Sequence, residues 1–287
     1  MIIFSDMDGT FLSKDKSIAE TNWRALDALA EAGIEFVPCS GRPFTGLKPE
    51  LLQHPAVHYA VTANGASVYE VATGKILHRV CLGRERAHRL WDVVRERDAT
   101  FDILSDGSCY TTRELYGRIP NFLPDPFILA SMKASRIPLD IPMAQIIDEA
   151  PELERVSMLC TDPDERKILW AASERLGHVS VVCSSPRNIE VADAEATKGL
   201  ALTWLCDYLG MGVADAVAFG DNFNDITMLE AAGRGVAMAN ADPAARAAAD
   251  EVCGSNEEGG VGRFVLGLLQ QAPRHRTRPS AGAKRRG

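Results

Sequence analysis

The 287-residue sequence predicts an α/β protein, a doubly wound Rossmann-like parallel sheet with a smaller α+β domain inserted into it. Three observations carry this expectation. Apolar runs of strand length alternate with segments of helical spacing through the first 80 residues. The same alternation resumes near residue 197, and the stretch between has a different, proline-containing texture.

In chain order, residues 1–5 form a short apolar strand. Ser17-Ile18-Ala19-Glu20 offers a capping box ahead of Trp23, Leu26, Leu29 and Ala30 at helical spacing, and Gly33 is the stop. A strand over 34–37 leads into Ser40-Gly41-Arg42-Pro43, where Pro43 suits the first turn of a helix running to about residue 52. Residues 59–62 read as a third strand. Crossovers this short are right-handed and imply a parallel sheet covered on both faces. Helix 197–209, strand 216–219, helix 226–232, strand 235–238 and helix 243–249 extend the same sheet from the other end of the chain.

The core is therefore expected over 1–82 and 189–271, with the inserted domain over 83–188. That insert reads as helix 84–97, strand 100–104, a loop-rich stretch with Pro120, Pro124, Pro126, Pro138 and Pro142, strand 155–160, helix 163–176 and strand 179–183. Residues 272–287 read as a disordered basic tail, because nothing in them has the periodicity of a packed element.

Composition bounds the function. Hydrophobic residues make up 46% and charged residues 24%, an ordinary globular balance that excludes collagenous, disordered and disulfide-scaffold classes. No apolar run is long enough to cross a membrane, and the opening Met1-Ile2-Ile3-Phe4 meets Asp6 too soon to serve as a secretory segment, so a soluble cytoplasmic protein is expected. Six of the 31 basic residues lie after residue 273; the remaining 25 face 39 acids, a net of −14 that argues against nucleic-acid binding. The seven scattered cysteines read as reduced core thiols, and the six histidines have no metal-ligand spacing.

Acids at strand ends carry the chemistry. Asp6 and Asp8 close the first strand, where open α/β sheets hold ligands, and a period of two points both to one side. Gly220-Asp221-Asn222-Phe223-Asn224-Asp225 closes another apolar run and opens a helix. Asp221 and Asp225 can converge on the first pair, and four carboxylates without a local basic partner suggest a hard divalent cation, for which Mg²⁺ fits. Helix capping by Asp221 or Asn222 is the competing reading and leaves three acids unexplained. Ser40-Gly41 offers a hydroxyl and backbone N–H groups as an anion cradle, although Ser40 could simply cap a helix. Lys198 sits at a helix start, where the dipole disfavours a cation. It is either a solvated surface lysine or the partner of an anion.

Taken together and in this order, these segments resemble the haloacid dehalogenase superfamily of Mg²⁺-dependent phosphatases, and within it the Cof-type sugar-phosphatase group. Asp6-Met7-Asp8-Gly9-Thr10 matches the first motif, Ser40 the second, Lys198 the third and Gly220 to Asp225 the fourth; 62–66 and 235–241 also look like segments of the group. Thirty-four residues separate Asp6 from Ser40 and 158 separate Ser40 from Lys198, which places the cap domain in the second interval, as in relatives with larger α/β caps.

The resemblance implies roles. Asp6 is the nucleophile that becomes an aspartyl-phosphate, and Asp8 is the acid and then the base. Mg²⁺ is held by the carboxylates of Asp6 and Asp221 and the carbonyl of Asp8, while Asp225 orients a metal water or Lys198. Ser40, Lys198, the backbone N–H groups of Met7 and Gly41, and the Asn224 side chain bind phosphate oxygens. Substrate contacts are implied at Arg42, Asn64 and Gly65. Cys39, where the group often has Ala, is a departure that could shift the second strand end slightly. The expected partner is a small phosphorylated metabolite, a sugar phosphate by family habit, with nucleotides, flavin mononucleotide and pyridoxal phosphate as further candidates. The protein is expected as a monomer or homodimer. Phosphotransfer to another alcohol, or a phospho-accepting switch of the receiver type, is the alternative.

Overall fold

The computed structural model describes residues 1–271 apart from residue 184; the basic tail expected over 272–287 lies outside the described residues. Along the chain run β1 (Ile2–Asp6), α1 (Glu20–Ala32), β2 (Glu35–Cys39), α2 (Pro49–Leu52), β3 (Tyr59–Thr62), β4 (Ser67–Glu70) and β5 (Lys75–Arg79). There follow α3 (Arg84–Val94), β6 (Asp102–Ser105), β7 (Ser108–Thr112), α4 (Arg113–Arg118), α5 (Pro126–Ala134), β8 (Arg136–Leu139), α6 (Met143–Glu149), β9 (Leu153–Leu159), α7 (Pro163–Glu174), β10 (Val179–Val182) and β11 (Asn188–Asp193). The last part holds α8 (Lys198–Tyr208), β12 (Ala216–Gly220), α9 (Ile226–Ala231), β13 (Arg234–Ala237), α10 (Pro243–Ala248), β14 (Glu251–Val252) and α11 (Gly260–Gln271).

Two sheets result. The larger has the order β14-β13-β12-β1-β2-β3-β4-β5, parallel from β14 to β3 and closed by the antiparallel β4–β5 hairpin. Alternating side chains of β1 serve both of its faces. Ile3 joins Leu26, Leu29 and Phe36 on the α1 side, whereas Ile2 and Phe4 join Leu202 and Leu205 of α8 on the other. Each such fully buried side chain contributes about 1.5–3 kcal/mol. The smaller sheet, β10-β11-β9-β6-β7-β8, packs Phe101, Ile103, Val156 and Ile189 against α3, α6 and α7. Among the described residues no helix is long and apolar enough to cross a membrane.

Several local expectations are corrected. Ser17 does not cap α1; its N–H and hydroxyl both bond to Asp15 Oδ1, and the helix starts behind Ala19 without a side-chain cap. The single helix expected after Pro43 is a 3₁₀ turn at Phe44–Gly46 followed by α2, because Pro49 cannot donate within a helix and starts a new one instead. The proline-containing stretch is not mainly loop. Pro126 opens α5, Pro142 precedes α6 and Pro138 sits in the edge strand β8, positions that need no backbone donor. β11 belongs to the smaller sheet, so the chain returns to the larger one after Asp193 and not at 188/189. All seven cysteines are free, but only Cys39, Cys109, Cys160 and Cys206 are buried; Cys81 and Cys253 are half-buried and Cys183 is exposed.

Candidate active site

Parallel pairing of β1 with β12 sets Ser5 beside Phe219, so the loops leaving the two strands start side by side. Gly9, at φ +90°, turns the first loop hard against the second; a Cβ there would stand 2.4 Å from Asp221 Oδ2. The Thr10 hydroxyl donates to Asp221 Oδ1 at 2.7 Å and locks the two loops together. In the second loop Asp225 Oδ2 accepts from the backbone N–H groups of Asp221 (2.9 Å) and Asn222 (3.0 Å). Its Oδ1 accepts from Lys198 Nζ at 2.6 Å.

Lys198 is the first residue of α8, behind the Thr197 cap, and its ammonium is wholly buried. It also donates to Asp6 Oδ1 at 2.5 Å. The cation at a helix start is thus explained by two carboxylates, which outweigh the burial that works against its charge and hold its pKa above the ordinary lysine value. Carboxylate oxygens of Asp6, Asp221 and Asp225 all lie within 4.8 Å of one another. Burial and then the Asp225 charge push the Asp6 carboxyl well above its usual range, despite Lys198. Burial likewise raises Asp221 to about 6, despite the Thr10 bond.

Three carboxylates gather around one ammonium, and the Asp6 and Asp221 carboxyls hold their protons more tightly than ordinary ones do. The donor set is all oxygen, so a hard divalent cation fits it. Asp6 and Asp221 have oxygens to offer. Asp225 has both of its oxygens engaged by Lys198 and the loop backbone, so its geometry is that of an anchor.

Convergence of four carboxylates is not what forms. The Asp8 carboxylate lies outside the cluster, taking two hydrogen bonds from Arg42 at 2.7 Å each and an ion pair from Lys16 at 2.7 Å. Burial would raise its pKa, but Arg42 and Lys16 outweigh it and hold the carboxyl below the usual range. β1 ends at Asp6 and the chain turns at Met7, so the period of two does not reach Asp8.

The other expected residues divide. Ser40 ends up buried, with its Oγ accepting from Arg42 N at 3.1 Å on a bend, so the cradle is not a helix N-terminus. Ser40, Gly41, Arg42, Asn64 and Asn224 share the wall of one cavity of about 530 Å³ with Asp6 and Asp8. Gly65 is not in that wall; it packs on the Thr197 carbonyl instead. The Met7 side chain is buried in the core, and its carbonyl accepts from Phe11 (3.1 Å) and Leu12 (2.8 Å) to shape the first loop. Cys39 is buried under the site, and burial pushes its thiol pKa up, so it is an inert neighbour.

The opposite wall of the cavity comes from the smaller sheet and α5, including Ile128, Met132, Arg136, Arg155 and Glu190. Arg136 pairs with Asp102 at 3.1 Å, and Arg155 pairs with Glu190. Sequence reading missed Thr10 as an Asp221 partner, Lys16 as an Asp8 partner, and the Arg155–Glu190 pair. Only Thr10 carried a signal, since it lies inside the first motif. The others meet the site through tertiary pairing alone.

A sequence model of the haloacid dehalogenase-like hydrolase family matches residues 3–265. The chain is similar to Bacillus subtilis (strain 168) YxeH, 31% identical over 275 residues that cover 93% of this chain and 98% of that protein. It is also similar to the pyridoxal phosphate phosphatase YbhA of Escherichia coli (strain K12), 26% identical over 273 residues, covering 93% and 98% respectively. A crystal structure of a haloacid dehalogenase-like hydrolase from Bacteroides thetaiotaomicron has the same fold, with a TM-score of 0.79 at 24% identity over 93% of this chain and 98% of that one. With its motif loops gathered at adjacent strand ends and a family match over nearly its whole length, this chain belongs to the haloacid dehalogenase-like hydrolase family.

Proposed function

We propose that this hydrolase is a phosphatase that cleaves small phosphate monoesters through an aspartyl-phosphate on Asp6, with Mg²⁺ as its cofactor. The observation that carries the reading is the buried Asp6–Lys198–Asp225 cluster, whose Asp6 lines a cavity large enough for a metabolite. The Asp6 and Asp221 carboxylates, with the Asp8 carbonyl, would hold the metal ion. The chemistry Mg²⁺ supplies when bound is neutralisation of charge on the transferring phosphoryl group.

Asp6 Oδ attacks phosphorus as the ester P–O bond breaks, and the proton for the leaving alcohol comes from Asp8. Water then attacks the phosphorylated Asp6 while Asp8 takes up its proton. Asp8 is ionised while Arg42 and Lys16 hold it, which suits the second step. Both cations line the cavity, so an arriving phosphate competes with Asp8 for them and lets Asp8 carry the proton for the first step. Lys198, Ser40, the N–H groups of Met7 and Gly41, and Asn224 bind the phosphoryl oxygens; Asp225 orients Lys198.

The smaller sheet with its helices acts as the cap that selects the leaving group, and a sugar phosphate is the expected substrate, with pyridoxal phosphate, the named substrate of one relative, next. The test is Mg²⁺-dependent phosphate release across sugar phosphates, nucleotides and cofactor phosphates, with Asp6→Asn as control. Release that needs Mg²⁺ and vanishes in Asp6→Asn supports the reaction. Silence from folded wild type across the panel refutes it.

A further inference from the structure

Asn64 bridges the two sheets. Its Oδ1 accepts from Asn224 Nδ2 at 3.0 Å, and its Nδ2 donates to Glu190 Oε2, on β11, at 2.8 Å. Glu190 Oε2 also accepts from Arg155 Nη1, which donates in turn to the Gly41 carbonyl at 3.0 Å. The second carboxylate oxygen, Oε1, accepts from Asn188 Nδ2 at 2.9 Å. One nearly buried carboxylate of the smaller sheet therefore reaches two loops of the larger one, those of Gly41 and Asn224.

The direction of this chain follows from Glu190. A carboxylate only accepts, whereas a side-chain amide can face either way. Glu190 obliges Asn64 to turn Nδ2 toward it, which leaves Asn64 Oδ1 for the next link. That oxygen in turn obliges Asn224 to present Nδ2. An amide nitrogen has two N–H groups; Asn64 takes one, and the other belongs to a side chain that lines the cavity beside Asp6. The loop carrying Asn64 is poorly suited to readjust, because Ala63, Asn64 and Gly65 all have positive φ (52°, 58° and 105°) and Gly65 is wedged against Thr197.

We infer that Glu190 is a positioning residue that sets the facing of the Asn64 and Asn224 amides, so that Asn224 offers an N–H and not a carbonyl to the phosphate. The inference rests on the phosphate contact proposed above for Asn224. An inverted Asn224 would aim an acceptor at an anion, which is why one buried carboxylate in the other sheet matters to phosphate binding.

Glu190→Leu removes the acceptor at the Oε2 position, which leaves Asn64 free to turn and Asn224 to invert. Glu190→Gln keeps an acceptor there, because Arg155 donates to the same oxygen and holds the glutamine carbonyl toward Asn64. The measurement is the Kd of inorganic phosphate by calorimetry with Mg²⁺ present, beside kcat and KM on the best ester. Glu190→Leu is expected to weaken phosphate binding roughly tenfold and lower kcat/KM by a similar factor, while Glu190→Gln is expected to stay within about threefold of wild type. The inference is overturned if Glu190→Leu binds phosphate as wild type does, or if Glu190→Gln loses as much as Glu190→Leu. Should Glu190→Leu fail to fold, Asn64→Leu decides, since it cuts the relay with the Arg155–Glu190 pair in place; roughly tenfold loss supports the inference and wild-type affinity overturns it. Wild type that binds phosphate but hydrolyses no ester would refute the proposed reaction and not the amide relay.

Discussion

Lys198 Nζ lies 2.5 Å from Asp6 Oδ1, and neither partner has appreciable contact with water. A buried ammonium of this kind is held by its counter-ions, and removing it strands negative charge. Lys198→Ala is therefore expected to lose about 3 kcal/mol of stability at pH 7 in urea unfolding without Mg²⁺. Under the proposed mechanism activity is expected to fall at least about a hundredfold, because Lys198 is the proposed preorganised donor to the phosphoryl group. A variant as stable as wild type would show that the pair carries no net weight in the fold.

The Asp6–Asp221–Asp225 cluster gathers three carboxylates around one ammonium, an oxygen donor set that the unfolded chain lacks. Mg²⁺ at about a hundred times its Kd is expected to raise wild-type stability by about 2.7 kcal/mol, visible as a higher melting temperature. Asp221→Asn should abolish most of that shift. A melting temperature indifferent to Mg²⁺ in the wild type would remove the cation from the site.

Gly65 has φ +105°, and a Cβ there would stand 2.1 Å from the Thr197 carbonyl oxygen. Both the backbone conformation and the clash act against any side chain. Gly65→Ala is expected to cost at least about 2 kcal/mol and, by pushing back the start of α8, to reduce activity through Lys198. Equal denaturation midpoints for variant and wild type would contradict this.

Asp193, at the end of β11, accepts from the Glu195 backbone N–H at 3.0 Å and from Arg86 at 2.6 Å. Burial would raise its pKa, but these donors outweigh it, so the carboxyl titrates below its ordinary range. The unfolded chain then binds the proton more readily than the folded one. The resulting stability is present above about pH 4, the ordinary carboxylate value, and is lost as pH falls through the lower folded value. Asp193→Asn is expected to be up to about 1 kcal/mol less stable at pH 7, with the gap closing in acid. A gap that stays constant down to pH 3 would assign the effect to packing.

What the chain shows without its structure is what local rules govern. The β1, β2, β3, β12 and β13 runs are short, apolar and separated by helical spacing or turn residues, so the doubly wound sheet is legible in them. Asp6, Ser40 and Asp221 to Asp225 stand at or just beyond the ends of those same strands, so their meeting at one edge of the sheet follows from parallel order alone; Lys198 joins them from the start of α8, which follows a strand of the smaller sheet.

Two kinds of contact decide the rest. Close by, Asp15 takes the Ser17 hydroxyl, so Ser17 does not cap α1. Elsewhere the deciding partners are far apart in sequence. Nothing local marks β11 as a strand of the smaller sheet, since an apolar strand followed by an acidic turn reads the same in either sheet. A period of two aims Asp8 at the cluster, but β1 ends at Asp6, and Arg42, 34 residues away, sets where the carboxylate goes. Glu190 met Asn64 across 126 residues. Periodicity and strand-end chemistry determined the sheet and its acids, because they act over a few residues; the partners of those acids were decided only by tertiary packing, because a charge pairs with whatever the fold brings within about 3 Å.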